Sequence, residues 1–245
     1  MLDDMLGRSP RSPQSPATQE NPASEDGVHP LLRARDLQLE GGRGPVFGPL
    51  DTQLYAGQRA VVVGQQGTGR SALLLALGGR MKGVTGELRV DGIDGIAHPR
   101  KLRQLTSIAR ISGLAELEPS LTVGECRDER SLTEAIGVRR GKQRFTELQN
   151  ALGEWFDPEE VVEHLPAFRR TLLTAMLGCL RPAAYVLLDD IDASLTDDQQ
   201  LWIHRQLDVL TEAGNTFIVS ALDTAKAPPG AIILRLDPHP HTEEA

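Results

Sequence analysis

One segment constrains the fold of this chain more than any other: GQQGTGRS, Gly64–Ser71. The run before it, Arg59–Val63, is continuously apolar after its arginine, as in a strand that is covered on both faces. The segment after it, SALLLAL, has the periodicity of a helix. A buried strand, a glycine-rich turn and a helix in this order predict a loop that binds phosphate groups.

The chemistry of such a loop explains its residue types. Glycines let successive backbone N–H groups point at one anion, in conformations that a Cβ would obstruct, and the following helix adds the positive end of its dipole. The segment fits G-x-x-x-x-G-K-[ST] except at Arg70, which keeps the charge but is bulkier and planar. Ser71 stands where a hydroxyl would ligate Mg²⁺. The alternative, a glycine-rich turn without a ligand, explains the glycines but leaves this hydroxyl and the flanking elements as a coincidence. The predicted phosphate-binding residues are Gly64, Gln65, Gln66, Gly67, Thr68, Gly69, Arg70, Ser71 and Ala72.

A second apolar run, Ala184–Leu188, ends in Asp189 and Asp190. Its distance from the glycine loop along the chain suits a neighbouring strand of the same sheet. Asp189 is then predicted to hold Mg²⁺, directly or through water, and Asp190 to orient an attacking water. The alternative for two aspartates after a strand is a helix N-cap or a turn, for which Asp192 and Ser194 are also available.

The remaining pattern predicts an α/β fold with a mainly parallel sheet. LLRARDLQLE and FGPLDTQLY alternate as the strands of a hairpin or meander do, with a glycine-rich break between them. TSIARIS (106–112), TFIVSAL and AIILRL are strand-like, whereas residues 123–180 and 197–213 are helix-like. Buried strands that alternate with helices form parallel sheets with helices on both faces.

Composition narrows the classes of function. There are 26 Lys and Arg against 34 Asp and Glu, a formal net charge of -8, so no basic field exists to hold a nucleic-acid backbone and no nucleic-acid partner is predicted. Cys126 and Cys179 are expected to be buried thiols in a reducing cytosol. No apolar run approaches the length that spans a bilayer, so membrane contact is expected only through a partner.

The ends of the chain and its large aromatic residues complete the sequence-based expectations. Residues 1–29 contain RSPRSPQSP and are predicted to be a disordered Ser/Pro-rich tail, and residues 238–245 a flexible C-terminal tail. Four aromatic residues lie in apolar sequence settings and are expected to pack in cores: Trp155, Trp202, Tyr55 and Tyr185.

With both motifs in hand, the chain from Leu31 to Leu236 resembles the ATP-binding subunit of an ABC transporter. TGELRVDG, Thr85–Gly92, resembles the strand that follows the phosphate-loop helix in that family. PSLTVGE, Pro119–Glu125, resembles the segment that opens the family's helical subdomain, and RP at 181–182 stands where its ARALxxxP segment does. These stretches separate ABC-type proteins from other phosphate-loop proteins.

The resemblance implies a fold, ligands and partners. It implies an ABC-type nucleotide-binding domain over residues 30–237: a phosphate-loop (RecA-like), mainly parallel sheet, an antiparallel β subdomain and a small helical subdomain at about 123–180. ATP and Mg²⁺ are the implied ligands, and ATP hydrolysis the implied activity. The implied partner is a multi-spanning membrane permease subunit, whose coupling helix would enter a groove beside Leu114–Ser120. A homodimer or a second ATP-binding subunit would complete the assembly, which would lie on the cytoplasmic face of the cell membrane.

Several family residues are replaced, so hydrolysis is expected to be slow or absent. The signature LSGGQ should fall near Leu165–Arg169, where LPAFR has lost both glycines. The glutamine that senses Mg²⁺ should lie near Ser112 or Gly113, and the catalytic glutamate is replaced by Asp190. The switch histidine should be at Ala221 or Leu222, and the aromatic residue that stacks on adenine should lie within 40–43, where none is present. Each replacement removes a positioning or polarising group, on which phosphoryl transfer depends.

Three functions therefore remain open. The first is an ATP-binding subunit that couples ATP binding, and slow hydrolysis at most, to a membrane partner for export. The second is a catalytically degenerate ABC-type protein that acts as a nucleotide-gated regulatory or interaction module. The third is an ABC-type ATPase without a transporter.

Overall fold

The computed structural model describes residues 29–42, 44–225 and 227–238, which form two sheets and a set of helices. The strands are β1 (Leu32–Gly41), β2 (Gly44–Leu54), β3 (Arg59–Val63), β4 (Val84–Val90), β5 (Ile93–Asp94), β6 (Thr106–Arg110), β7 (Tyr185–Leu188), β8 (Phe217–Ala221) and β9 (Ile232–Arg235). The α-helices are α1 (Arg70–Leu77), α2 (Pro99–Leu105), α3 (Val123–Thr133), α4 (Val138–Leu152), α5 (Ala167–Gly178) and α6 (Asp197–Glu212). Of the predicted tails at 1–29 and 238–245, residues 1–28 and 239–245 lie outside the described residues.

The larger sheet is parallel, with the strand order β6-β7-β8-β3-β9. Every residue of β3, β7 and β8 is buried, as their continuous apolar composition predicted. Alternate residues of β3 enter different cores: Val61 and Val63 pack with helices α3 to α6, whereas Ala60 and Val62 pack with α1 and the smaller sheet. Both faces of the sheet are therefore covered, and the predicted phosphate-loop α/β class is confirmed.

The smaller sheet is antiparallel, with the order β2-β1-β4-β5. The predicted hairpin is its β1–β2 pair, in which Leu32 lies opposite Leu54 and Gly41 opposite Gly44. Its alternation places Phe47 in the core, where the side chain is fully buried. Because this core also contains α1, the hairpin lies against the glycine loop at the start of that helix.

The prediction that the two motifs occupy neighbouring strands is wrong, because β8 lies between β3 and β7. Phe217 pairs with Arg59 on one side and with Val186 on the other. All three strands are fully buried and mostly apolar, so their composition carries no signal of their order. The carboxyl ends of parallel strands nevertheless meet at one edge, so Gly64 and Asp189 still reach the same side of the sheet.

Helices α3, α4 and α5 lie within residues 123–180, which the sequence predicted to be rich in helix. Thr122 and Glu125 form a capping box that starts α3, and Gly153 ends α4 in the left-handed region. The prediction of a core position is wrong for Trp155, which is 59% exposed in the loop after α4 because the adjacent Phe156 enters the core instead. Helix α2 was not predicted.

The other aromatic residues pack as expected or nearly so. Tyr185 is fully buried and Trp202 packs edge-on against Phe168, with 5.1 Å between the ring centroids, whereas Tyr55 is half-buried.

Cys126 and Cys179 are buried free thiols, and burial raises the pKa of the Cys126 thiol to about 11. Within the described residues, the helices are too short or too polar to cross a membrane.

Candidate functional site

The glycine loop runs from the end of β3 to the start of α1 and packs against strand β2. Gly67 and Gly69 both have left-handed backbones, with φ of +85° and +87°. A Cβ on Gly69 would lie 2.1 Å from the carbonyl oxygen of Val46, whereas a Cβ on Gly67 would meet nothing within 4 Å. The glycine at 69 is therefore required by both conformation and space, and the one at 67 by conformation alone.

Thr68 closes the loop from inside. Its side chain is buried, and both its backbone N–H and its hydroxyl donate to the carbonyl oxygen of Gln65, at 3.3 and 2.8 Å. Gln65, Gln66 and Gly67 form the exposed rim, and Ala72 packs against the core below. Helix α1 has no side-chain N-cap and no acidic residue in its first turn, so its positive end faces the loop uncompensated by α1's own residues.

Ser71 and Asp189 meet beneath the loop, which brings together the two predicted metal ligands. The Ser71 hydroxyl donates to Oδ2 of Asp189 at 2.6 Å. Asp189 is fully buried, and its Oδ1 accepts a hydrogen bond from the hydroxyl of Ser220 at the end of β8. Sequence reasoning missed Ser220, although a lone hydroxyl near the end of the apolar strand TFIVSAL was a usable signal.

Asp190 contacts the glycine loop directly. Its Oδ1 lies 2.8 Å from Nη2 of Arg70, and its Oδ2 accepts from the Ser112 hydroxyl at 2.6 Å. Its backbone has φ +46°, and its N–H donates to the Ser220 hydroxyl at 2.8 Å. Both carboxylate oxygens of Asp190 are therefore engaged by residues of this chain. Ser112, named from the sequence as a position where a glutamine was missing, provides one of these contacts.

Arg110, at the end of β6, holds the backbone of the acidic pair. Its Nε and Nη2 donate to the carbonyl oxygen of Asp189 at 3.0 and 2.7 Å, and Nη2 also donates to that of Asp190. Burial lowers the pKa of Arg110, while the carboxylates of Asp190 and Asp189 act in the opposite direction. Sequence reasoning missed Arg110; its signal was a cation in a strand that ends at the same sheet edge.

A cavity of about 400 Å³ adjoins this cluster. Arg110 and Ser112 form part of its wall. Glu116 and Pro119 also line it, and they belong to the acidic loop beside which a groove was predicted. The same Arg110 and Ser112 therefore contact both the acidic pair and the cavity. Occupation of the cavity by a coupling helix remains a prediction.

The start of α5 contains LPAFR, the segment at which the sequence resemblance led us to expect the family's signature. Pro166 is the N-cap and offers no side-chain cap. Arg169 donates to the carbonyl oxygen of Trp155 and lies 4.5 Å from the centroid of the Phe156 ring, while Arg170 donates to the carbonyl oxygen of Leu165 at 2.6 Å. Arginine side chains with contacts inside the chain thus surround this helix start.

Few protein ligands are available for a metal. The described residues contain no group of three or more His, Cys, Asp or Glu that could hold an ion by themselves. Ser71 and Asp189 supply one hydroxyl and one carboxylate, which are the oxygen ligands that Mg²⁺ takes beside a nucleotide phosphate. This donor set fits Mg²⁺ bound together with phosphates and water rather than in a protein cage.

Comparisons with known proteins match this arrangement. The family model described as "ABC transporter" matches residues 47–193, which include both motifs. The cytochrome c biogenesis ATP-binding export protein CcmA of Xanthomonas axonopodis pv. citri (strain 306) is 29% identical over 202 residues, 82% of this chain and 90% of the relative.

Solved structures agree in fold. CbiO1 from Clostridium perfringens, part of the ABC transporter complex cbiONQ, superposes with a TM-score of 0.69 at 16% identity, and 82% of each chain is covered. The ATP-binding cassette MJ0796, in a dimeric post-hydrolysis state bound to ADP and Pi, superposes with a TM-score of 0.68 at 18% identity over 84% of this chain and 94% of that one.

Proposed function

The chain belongs to the ABC transporter family as an ATP-binding subunit, and from this premise we propose that it binds magnesium ATP at the glycine loop and drives a membrane partner in export. Nucleotide binding is the step that the site supports best. Hydrolysis is proposed to be slow. The transported substrate is left open.

The proposal rests on one observation. A hydrogen bond joins the glycine loop to the predicted metal ligand, and an ion pair joins the same loop to the predicted water-orienting carboxylate. Ser71 contacts Asp189 at 2.6 Å, and Arg70 contacts Asp190 at 2.8 Å. The glycine loop and the acidic pair that supplies the metal ligand and the water-orienting carboxylate come from two parts of the chain more than a hundred residues apart. A glycine-rich turn without a ligand would not require this convergence.

Each residue has a proposed role in holding the nucleotide. Backbone N–H groups of residues 64–72 surround the phosphates, and Arg70 pairs with phosphate oxygens. Ser71 and Asp189 would hold Mg²⁺, which when bound neutralises negative charge on the terminal phosphates. The partner-free Nη1 of Arg70, buried within the described part of the chain, supports this fit because it leaves a guanidinium donor for an anion.

Asp190 is the proposed group for orienting the attacking water. It is one methylene shorter than the glutamate of the resembling family, and Arg70 and Ser112 engage its two oxygens. A carboxylate that is already paired on both oxygens accepts a proton or orients water poorly. Slow turnover by the isolated chain follows.

The assembly is proposed from the relatives. The CcmA relative is named as an export protein and is matched over 90% of its length, which supports export. A multi-spanning membrane subunit would reach the cavity beside Glu116 and hold the chain at the cytoplasmic face of the membrane. A homodimer, or pairing with a second ATP-binding subunit, is supported by the dimeric cassette of similar fold.

Calorimetric titration of magnesium ATP tests the site. The wild type should bind, whereas Gly69→Asp should not, because a Cβ at this position collides with the Val46 carbonyl and a carboxylate would repel phosphate. Gly57→Asp is the control for an aspartate at a positive φ. Like Gly69, Gly57 has a positive φ, but a Cβ there would meet open space, and the residue lies at the opposite end of β3 from the glycine loop. Equal binding by Gly69→Asp and wild type, or no binding by wild type at millimolar nucleotide, would refute the proposal.

The second candidate, a nucleotide-gated regulatory module without turnover, is favoured by the engaged state of Asp190 and by the arginine-filled start of α5. The two candidates differ in their response to a membrane partner. Co-purification with a multi-spanning protein that stimulates ATP hydrolysis supports the transporter subunit. Tight nucleotide binding, with hydrolysis absent both with and without that protein, supports the regulatory module.

A further inference from the structure

The two terminal nitrogens of Arg70 lie in different environments. Nη2 is 2.8 Å from Oδ1 of Asp190, whereas Nη1 is buried and has no hydrogen-bond partner among the residues that the structure describes. The whole side chain is only 9% exposed, so water does not readily satisfy the unpaired nitrogen. One terminal nitrogen of the guanidinium is thus paired with a carboxylate, and the donors of the other are unsatisfied by the described residues.

Asp190 is fixed in front of Arg70 by contacts on its other groups. The Ser112 hydroxyl donates to Oδ2 at 2.6 Å, and the backbone N–H of Asp190 donates to Ser220 at 2.8 Å. Arg110 donates to its carbonyl oxygen. Arg110 and Ser220 thus fix the backbone of Asp190, and Ser112 orients its carboxylate toward Arg70, so displacing the carboxylate has a cost.

The basic residue at this step of a phosphate loop reaches the β- and γ-phosphates. A guanidinium pairs with phosphate best through two parallel N–H groups. A diphosphate can be met by Nη1 of Arg70 alone, with the Asp190 pair left intact. A triphosphate brings a further charged group, which competes with the Asp190 carboxylate for the N–H groups of Nη2.

We propose that Asp190 is a specificity-determining residue that disfavours nucleoside triphosphates relative to diphosphates by occupying Nη2 of Arg70. This inference rests on the proposed function, because it requires nucleotide phosphates in the glycine loop. Asp190 acts as a built-in anion, and a triphosphate must replace it. The same displacement releases one oxygen of Asp190 for water, so the cost of binding a triphosphate is coupled to activation of the carboxylate.

Affinities for two nucleotides test the proposal without requiring hydrolysis. The ligands are ADP and the non-hydrolysable triphosphate AMP-PNP, each with Mg²⁺, titrated by calorimetry. Asp190→Asn keeps the size of the side chain and removes its charge, so AMP-PNP should bind about tenfold more tightly, as expected for loss of one competing charged hydrogen bond. ADP affinity should change by less than about twofold. Asp190→Ala should repeat this pattern, which guards against a folding defect specific to one variant.

Two controls separate displacement from a general change of charge. Asp192→Asn removes the same charge nearby, but the Asp192 carboxylate accepts from the N–H of Leu222 at 2.7 Å and not from Arg70. It should leave the ratio of the two affinities unchanged. In an Arg70→Gln background, Asp190→Asn should add no selectivity, because the competed group is already gone.

The outcomes distinguish failure of the inference about Asp190 from failure of the proposed function. Selective tightening of AMP-PNP that depends on Arg70 supports the inference. Equal tightening for both nucleotides, the same effect from Asp192→Asn, or no effect at all overturns it while leaving nucleotide binding intact. Failure of the wild type and every variant to bind either nucleotide overturns the proposed function and the inference together.

Discussion

Arg70 Nη2 and Asp190 Oδ1 are joined by an ion pair of 2.8 Å that links the first residue of α1 to the second residue after the end of β7. The pair spans the gap in which a nucleotide's terminal phosphates are proposed to lie. Binding of a triphosphate and any later chemistry are therefore both proposed to begin with a change in this contact. The resemblance to the ABC family leads us to expect a lysine at position 70 and a glutamate at position 190. The arginine and the aspartate present there differ from these residues in shape and length.

The glycine loop should be far less tolerant at position 69 than at position 67. Gly69→Ala forces a Cβ to 2.1 Å from the Val46 carbonyl oxygen at φ +87°, and we expect a loss of about 3 kcal/mol or more in the free energy of unfolding. Gly67→Ala has nearly the same φ but open space, so only the left-handed strain of about 1–2 kcal/mol should be lost. Urea denaturation measures both. Equal losses would show that the loop does not pack against β2 as described.

Ser71→Ala should make nucleotide affinity nearly independent of Mg²⁺. The hydroxyl that contacts Asp189 is one of the two proposed metal ligands, so its removal leaves a single protein ligand. Calorimetric titration with ADP in magnesium and in EDTA should show a ratio of affinities that falls toward one. Ser120→Ala, which removes an exposed hydroxyl bonded to Glu118, should keep the wild-type ratio. A wild-type ratio in Ser71→Ala would exclude Ser71 as a ligand.

His204 should make the protein less stable in mild acid. Burial lowers its pKa to about 4 from 6.5, and Arg59 adds to the shift. Because the unfolded chain binds the proton more readily, the free energy of unfolding falls as the pH drops below 6.5 and the loss levels off below the folded-state pKa near 4. Between pH 7 and pH 5 the expected loss from this group is about 2 kcal/mol.

Urea denaturation of His204→Gln at these two pH values checks the assignment. The variant should lose less stability between them than the wild type does. His164→Gln, at an exposed histidine, should keep the wild-type pH dependence. An unchanged pH dependence in His204→Gln would show that another group causes it.

The sequence predicted the elements of the site better than their arrangement. Arg59–Val63 and Tyr185–Leu188 are short apolar runs whose ends carry polar residues, so both strands and their functional ends could be predicted. Their separation by β8 could not be predicted, because three mostly apolar, fully buried strands can be ordered in several ways that fit the same sequence pattern. The same limit hid Ser220, whose contact with Asp189 depends on that order.

Arg110 illustrates a different limit. A single cation in TSIARIS resembles the solvent-facing residue of a half-buried strand, and nothing local indicates that it bonds two carbonyl oxygens after β7. Long-range contacts of this kind follow from the strand order and not from periodicity. The exposed Trp155 has a related cause, since two adjacent aromatic residues compete for one core position and Phe156 fills it.

Turnover by the isolated protein should be slow, and the double variant Arg70→Lys with Asp190→Glu should be faster. Lysine presents a compact ammonium that binds between the terminal phosphates, and glutamate extends the carboxylate by about 1.5 Å toward the attacking water. The double variant also replaces the ion pair between Arg70 and Asp190 with a lysine–glutamate pair of different geometry. Steady-state phosphate release measures the rates, with the Gly69→Asp variant as background. A wild type that already turns over at about 1 to 100 per second, as good kinases do, would contradict the argument from these two residues. A slow wild type with an equally slow double variant would place the defect instead in LPAFR at the start of α5, where Arg169 and the following Arg170 donate to backbone carbonyl oxygens.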